Sequence, residues 1–388
     1  MAPASSRAAA RGRRTSMRWA ALLLFAGCAG AAGPTHLVAI SHGLSGGAKD
    51  LSFLRSAILA ESAGGDVRVL CCAANEGRTT DGVKAGGLRV AAEILAALDA
   101  DPSITSLSLV GNSLGGLYVR YAAAEVRFRR AGLRLRTLMT IGTPHLGVRR
   151  YTYLPLPPQL HFAARVAMGQ TGADLFHLDG GDSDAPVLVR MSTEPEFLDA
   201  LFAFEERVLI GNVRGDFMVP AQTALIDVRG GADAAPRYGL RSTAYANARV
   251  EFDLPAATSA LGAALAPDSG AALGARGAAL APDGAGKARG LPGGAGKATS
   301  GSYEQRIAHG LRRKMWRRLG ISFDRAAVVP LAHNKLAALR RFGWRSKLFS
   351  WIEQTEDGDE IMRLAATILL EARPAAAPQT GAASFQSP

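Results

Sequence analysis

The sequence predicts an α/β fold with a mostly parallel central sheet covered by helices on both faces. Two observations carry this. Short apolar runs alternate with stretches of helical periodicity, the pattern of strand–helix–strand units. One seam between such a run and the following helix reads Gly-Asn-Ser-Leu-Gly-Gly, residues 111–116, a serine bracketed by glycines. At 388 residues with 48% hydrophobic content, the chain suits one large α/β domain or two smaller ones and is not wholly disordered.

Residues 1–33 hold five arginines, no acidic residue, and the run "WAALLLFAGCAGAAG". A basic start, a short apolar core and small residues after it predict a cleaved leader, either a secretory signal or an organelle (plastid) transit sequence. The apolar run is too short for a comfortable transmembrane helix. "HLVAIS" at 36–41 and "DVRVLCC" at 66–72 then read as buried strands. "GLRVAAEILAALDA" at 87–100 has apolar residues at helical spacing. "SLSLV" at 106–110 is a strand and 114–126 a helix. "LRTLMTIGTP" at 135–144 is a strand that Gly142 and Pro144 terminate, and "RVLIGNV" at 207–213 is another. A last strand and loop follow in "ISFDRAAVVPLAHNKL".

Residues 256–302 differ: Ala, Gly, Pro and Ser dominate and "GAGKA" occurs twice, so a low-complexity, disordered insertion is expected there. The core is thus divided into 34–255, with the nucleophile, and 303–372, with a disordered tail at 373–388. "GKAT" in the insertion is not a phosphate-binding loop. Leu291 stands where its first glycine belongs, Ala298 replaces the hydroxyl residue, and no strand precedes it.

The formal charge is +12. The basic residues are scattered, with no aromatic-interleaved basic strand and no zinc spacing, so no nucleic-acid partner is expected; a basic surface or attraction to anionic lipid fits as well. Cys28, Cys71 and Cys72 offer neither a disulfide framework nor a metal-ligand spacing.

Gly-x-Ser-x-Gly at a strand–helix seam is the pattern of a strained turn that presents a nucleophile, here Ser113. The glycines let strand and helix approach around it, and the helix N-terminus directs N–H groups at developing negative charge. A serine needs a base and the base an orienting acid, following in the order Ser, acid, His. Of seven histidines, His333 has the position expected of the base, with His145 in "GTPHLG" as its rival. Asp216, just past the strand ending near Val213, is the expected acid; Asp174, Asp182, Asp184 and Asp227 compete. An oxyanion hole needs two donors: the Leu114 N–H after the nucleophile, and a second from the loop "SHGLSGGAKD", where Gly43 lets the Leu44 N–H turn inward.

"HLVAISHGLSGGAKDL", "NEGRTTDGVKAGGLRVAAEI", "LSLVGNSLGGLYVRYA", "TIGTPHLGVR", "GQTGADLF", "GNVRGDFMVP" and "LAHNKLAAL" together resemble the lipase-like "putative serine esterase" family of the α/β-hydrolases. The likeness covers roughly residues 35–225 and 303–340. It implies an α/β-hydrolase fold, a Ser113–Asp216–His333 triad and lipid or other carboxylic-ester substrates. No metal or organic cofactor is expected. The apolar, proline-rich stretch 151–169 is either a cap over the acyl chain or a buried excursion of the core. Three functions compete: a lipase or (lyso)phospholipase working at a membrane or lipid-droplet surface, a soluble short-chain esterase or thioesterase, and a non-catalytic lipid-binding protein.

Overall fold

A computed structural model describes residues 35–62, 65–151, 158–181, 184–213, 215–216, 218–228, 239–240, 248–252, 302–323, 332–339 and 356–371. The expected leader and tail, and all but the last residue of the expected insertion, lie outside the described residues, as do 152–157 of the apolar stretch.

The strands are β1 (His36–Ser41), β2 (Val67–Cys72), β3 (Ser106–Asn112), β4 (Arg134–Ile141), β5 (Glu206–Asn212), β6 (Gly239–Leu240), β7 (Ala248–Phe252) and β8 (Arg317–Phe323). They form one sheet in the order β2-β1-β3-β4-β5-β8-β7-β6. From β2 to β8 every pairing is parallel; β7 runs antiparallel to β8, and β6 to β7. The helices are α1 (Ser52–Glu61), α2 (Val83–Ala100), α3 (Leu114–Arg129), α4 (Pro158–Leu175), α5 (Val187–Thr193), α6 (Pro195–Phe202), α7 (Ala221–Ala224), α8 (Tyr303–Leu311), α9 (Ala332–Leu336) and α10 (Glu356–Leu370).

Helices cover both faces because successive strand residues point to opposite sides. Leu37 and Ala39 of β1 join one core with α2 and α3, while Val38 and Ile40 join the other with α1, α9 and α10. The same alternation places Leu138 of β4 in the first core and Met139 and Ile141 in the second. Buried on both faces, these strands read as near-continuous apolar runs.

β4 stops at Ile141, where Gly142, a terminator read from the sequence, takes φ +56° and ends the ladder before Pro144. Other boundaries differ from expectation. α2 begins four residues early, at Val83, since the Asp174 carboxylate accepts the Val83 N–H at 2.6 Å. That cap comes from α4, far along the chain, and substitutes for a local N-cap side chain. The stretch 151–169 contributes the first part of α4, which bends at Gly169 (φ +58°) against the Thr80 carbonyl.

In a parallel sheet, side chains that follow the strands gather at one edge. Ser41, Asn112, Gly142 and Val213, at or just after the ends of β1, β3, β4 and β5, mark that edge here.

Candidate active site

Ser113 lies between β3 and α3 with φ +52° and ψ −125°, in a region that costs an L-residue of order 1–3 kcal/mol. Its N–H donates to the Ile141 carbonyl at 2.7 Å and its carbonyl accepts the Gly116 N–H at 3.0 Å. The turn closes only with glycines around it. A Cβ on Gly111 would lie 2.3 Å from the Gly116 Cα, and one on Gly115 would lie 2.4 Å from the Ser41 carbonyl oxygen. Leu114 and Asn112 are buried, whereas Ser113 is half-buried and open to solvent.

The loop after β1 packs directly on this serine. A Cβ at Gly43 would stand 2.9 Å from the Ser113 Cβ and 3.1 Å from the Asn112 carbonyl oxygen. The sequence-predicted oxyanion residues Leu44 and Leu114 therefore flank Ser113, one in this loop and one at the first position of α3.

Asp216 and His333 meet. His333 Nδ1–H donates to Asp216 Oδ2 at 2.9 Å, with both side chains nearly fully buried. The same oxygen accepts Asn212 Nδ2–H at 3.0 Å, and Asp216 Oδ1 accepts the backbone N–H groups of Met218 (3.0 Å) and Val219 (2.8 Å). Burial pushes the Asp216 carboxyl up, but the His333 charge and hydrogen bond, the Val219 N–H and Asn212 outweigh it and hold it below the usual carboxylate range. An ionised carboxylate only accepts, so the shared proton sits on Nδ1 and the His333 Nε2 lone pair is left unprotonated. That Nε2 is buried with no hydrogen-bond partner among the described residues.

His333 rides on α9, a short helix, rather than the loop the sequence predicts. Asn212 Nδ2 also donates to the Ala332 carbonyl at 3.0 Å, tying α9 to the end of β5. The imidazole lies against Gly142, whose Cβ position is 3.0 Å from His333 Cε1. Ser113 is bonded to the carbonyl of Ile141, so the serine and the imidazole both adjoin the Ile141–Gly142 peptide.

The rivals lie elsewhere. His145 is fully buried, its Nδ1 accepting from Arg120 at 3.2 Å and its Nε2 bonded to Thr140 Oγ1 at 2.9 Å. Burial and the Arg120 charge push its pKa well below the ordinary histidine value, so it is a neutral packing residue. Asp174 caps α2 and accepts from Gln170, and Asp184 is exposed. Asp182 lies outside the described residues, and Asp216 already occupies the bonding nitrogen of His333 where Asp227 would compete. The sequence reading missed Asn212. Its position at the last residue of β5 is the only signal, and it does not reveal the bond.

A parallel sheet flanked by helices, with a glycine-bracketed serine on a strained strand–helix turn, is the arrangement of the α/β-hydrolase fold. The family model described as "Putative serine esterase (DUF676)" matches residues 31–230, just over half of the chain, and the chain belongs to that family. It is 28% identical over 209 residues to "Putative lipase C4A8.10" of Schizosaccharomyces pombe, covering 50% of this chain and 26% of that protein. It is 30% identical over 199 residues to "Putative lipase ROG1" of Saccharomyces cerevisiae, covering 49% of this chain and 28% of that one. The matches span little more than a quarter of either relative's length. Among solved structures, "LipS and LipT, two metagenome-derived lipolytic enzymes" aligns at 20% identity and a TM-score of 0.31, over 51% of this chain and 79% of that one.

Proposed function

We propose that the protein hydrolyses carboxylic esters of acyl lipids by two-step acyl transfer through Ser113, Asp216 and His333. The observation that carries this is the Asp216–His333 bond, which leaves Nε2 as a base beside the peptide that also anchors Ser113. His333 Nε2 takes the Ser113 hydroxyl proton as Oγ attacks the ester carbonyl carbon. The carbonyl oxygen becomes an oxyanion, received by the Leu44 and Leu114 N–H groups. Collapse of this intermediate breaks the bond to the alcohol, which leaves with the proton from Nε2. Water then attacks the acyl-enzyme with His333 again as base, releasing the acid and restoring Ser113. Asp216 fixes the imidazole tautomer and stabilises the imidazolium.

An acyl-lipid substrate is supported by Met218, an apolar side chain two residues after the acid that is 50% exposed. The yeast relatives named as lipases fit this substrate class. Contact with a membrane or lipid-droplet surface belongs to the same proposal.

A fluorophosphonate probe should label the purified chain, and Ser113→Ala should abolish labelling. A panel of esters of increasing acyl length, assayed below and above the point where they form aggregates, tests the lipid class. Activity that jumps on aggregation supports it; a rate confined to short dissolved esters or thioesters contradicts it. Unlabelled wild type with tight lipid binding would point to a binding protein.

A further inference from the structure

The loop that packs on Ser113 is held from outside. Ser45 has φ +52°, a left-handed conformation that an L-residue keeps only when its neighbours enforce it. Its N–H donates to Thr79 Oγ1 at 2.9 Å. Further on, the Ala48 N–H donates to Glu76 Oε1 at 2.7 Å. Both acceptors lie in the turn 73–82, so one loop carries the other.

Thr79 is itself fixed from two directions. Its carbonyl accepts Thr171 Oγ1–H from α4 at 2.7 Å and Tyr118 Oη–H from α3 at 3.3 Å. Tyr118 is fully buried one turn beyond Ser113, and burial raises its phenol, which keeps the hydroxyl a donor. Thr171 also donates its N–H to the Thr80 carbonyl and accepts the Gly82 N–H at 3.0 Å. Thr79 is thus the joint between the nucleophile helix, α4 and the loop bearing Leu44, and it is 4% exposed. Among the described residues it bonds to none of Ser113, Asp216 or His333.

We infer that Thr79 is a positioning residue for ester hydrolysis: its hydroxyl holds Ser45 in place and thereby aims the preceding loop amide, at Leu44, toward the developing oxyanion. This rests on the acyl-transfer reading above. Loss of the bond lets the Gly43–Ser45 turn relax toward ordinary backbone angles. An oxyanion donor acts on charge that develops only in the transition state, so the penalty falls on kcat. Losing an oxyanion donor outright costs about 10²–10³ in kcat. A misaimed donor should cost less, roughly 10–100-fold, with KM held within about two-fold.

The test measures kcat and KM on one short-chain p-nitrophenyl ester for wild type, Thr79→Val, Thr79→Ser and Ser113→Ala, with thermal unfolding of each. The expected result is a roughly 10–100-fold lower kcat for Thr79→Val at near-constant KM, and recovery to within about three-fold of wild type in Thr79→Ser. A purely structural role lowers the unfolding temperature but moves neither the kcat/KM split nor the serine rescue. A Thr79→Val enzyme with wild-type kcat, or a Thr79→Ser enzyme as impaired as Thr79→Val, overturns the inference. Ser113→Ala that still hydrolyses ester overturns the triad beneath it instead, whatever Thr79 does. Where Thr79→Val does not fold, Tyr118→Phe carries the test, removing one hydrogen bond to the Thr79 carbonyl while keeping the ring. A kcat about three- to ten-fold lower at constant KM supports the inference, and an unchanged kcat overturns it.

Discussion

Asp216 Oδ2 and His333 Nδ1 stand 2.9 Å apart although 117 residues separate them in the chain. The bond joins the turn after β5 to α9, and Asn212 braces both by donating to Asp216 and to the Ala332 carbonyl. An Asp216→Asn enzyme keeps the shape but no longer stabilises the tautomer with a free Nε2. Its kcat should fall by about 10³–10⁴. Asn212→Ala should cost less and act through the imidazole's placement. Steady-state kinetics on the same ester check both, and an Asp216→Asn enzyme within ten-fold of wild type, as an order of magnitude, contradicts the assignment.

Gly43, in the first loop, packs directly against Ser113. Its missing Cβ would sit 2.9 Å from the Ser113 Cβ, too near for either backbone to stay in place. Gly43→Ala should shift the loop or the serine and lower kcat/KM by roughly 10²-fold. Fluorophosphonate labelling should slow in parallel. If the labelling rate is unchanged, the loop is not part of the reacting geometry.

His36 sets an expected acid limit on stability. It is buried at the start of β1, Nδ1 accepting from Arg136 at 2.9 Å and Nε2 bonded to Ser108 Oγ at 2.9 Å. Burial, then the charges of Arg136 and Arg134, lower its pKa to about 4. The unfolded chain therefore binds a proton near pH 6.5 that the folded chain refuses until about pH 4. Stability is complete above the unfolded value and falls as pH drops through that window. Between pH 7 and pH 5 this group alone should remove about 1–2 kcal/mol. Urea unfolding of wild type and His36→Gln at the two pH values measures it. His36→Gln should show the shallower loss; equal losses contradict the placement of His36 as a buried neutral residue.

Much of the fold was legible because its signals are local. The β1 and β3 runs are apolar because both faces of the sheet are covered. The serine turn announces itself in five adjacent residues because the steric demand falls on Gly111 and Gly115, two positions to either side of Ser113. What stayed hidden depends on contacts between distant segments. The start of α2 at Val83 is set by Asp174 on α4, and no residue near Val83 signals it. Asn212 and Thr79 look like ordinary strand-end and turn residues until the chain is folded. His145 and His333 both follow strands in the sequence; chain order favours His333, and the folded partners, Arg120 and Thr140 for one and Asp216 for the other, separate the packing histidine from the one paired with a carboxylate.

The most direct test of the triad compares His333→Ala with His145→Gln on the same short-chain ester, with folding of each verified by thermal unfolding. On the proposed mechanism the unbonded His333 Nε2 is the base, while His145 is a buried neutral residue. His333→Ala should lose roughly 10⁴–10⁶ in kcat, and folded His145→Gln should keep most of the wild-type rate. An active His333→Ala beside an inactive but folded His145→Gln would contradict the triad and move the base to the loop that follows Gly142.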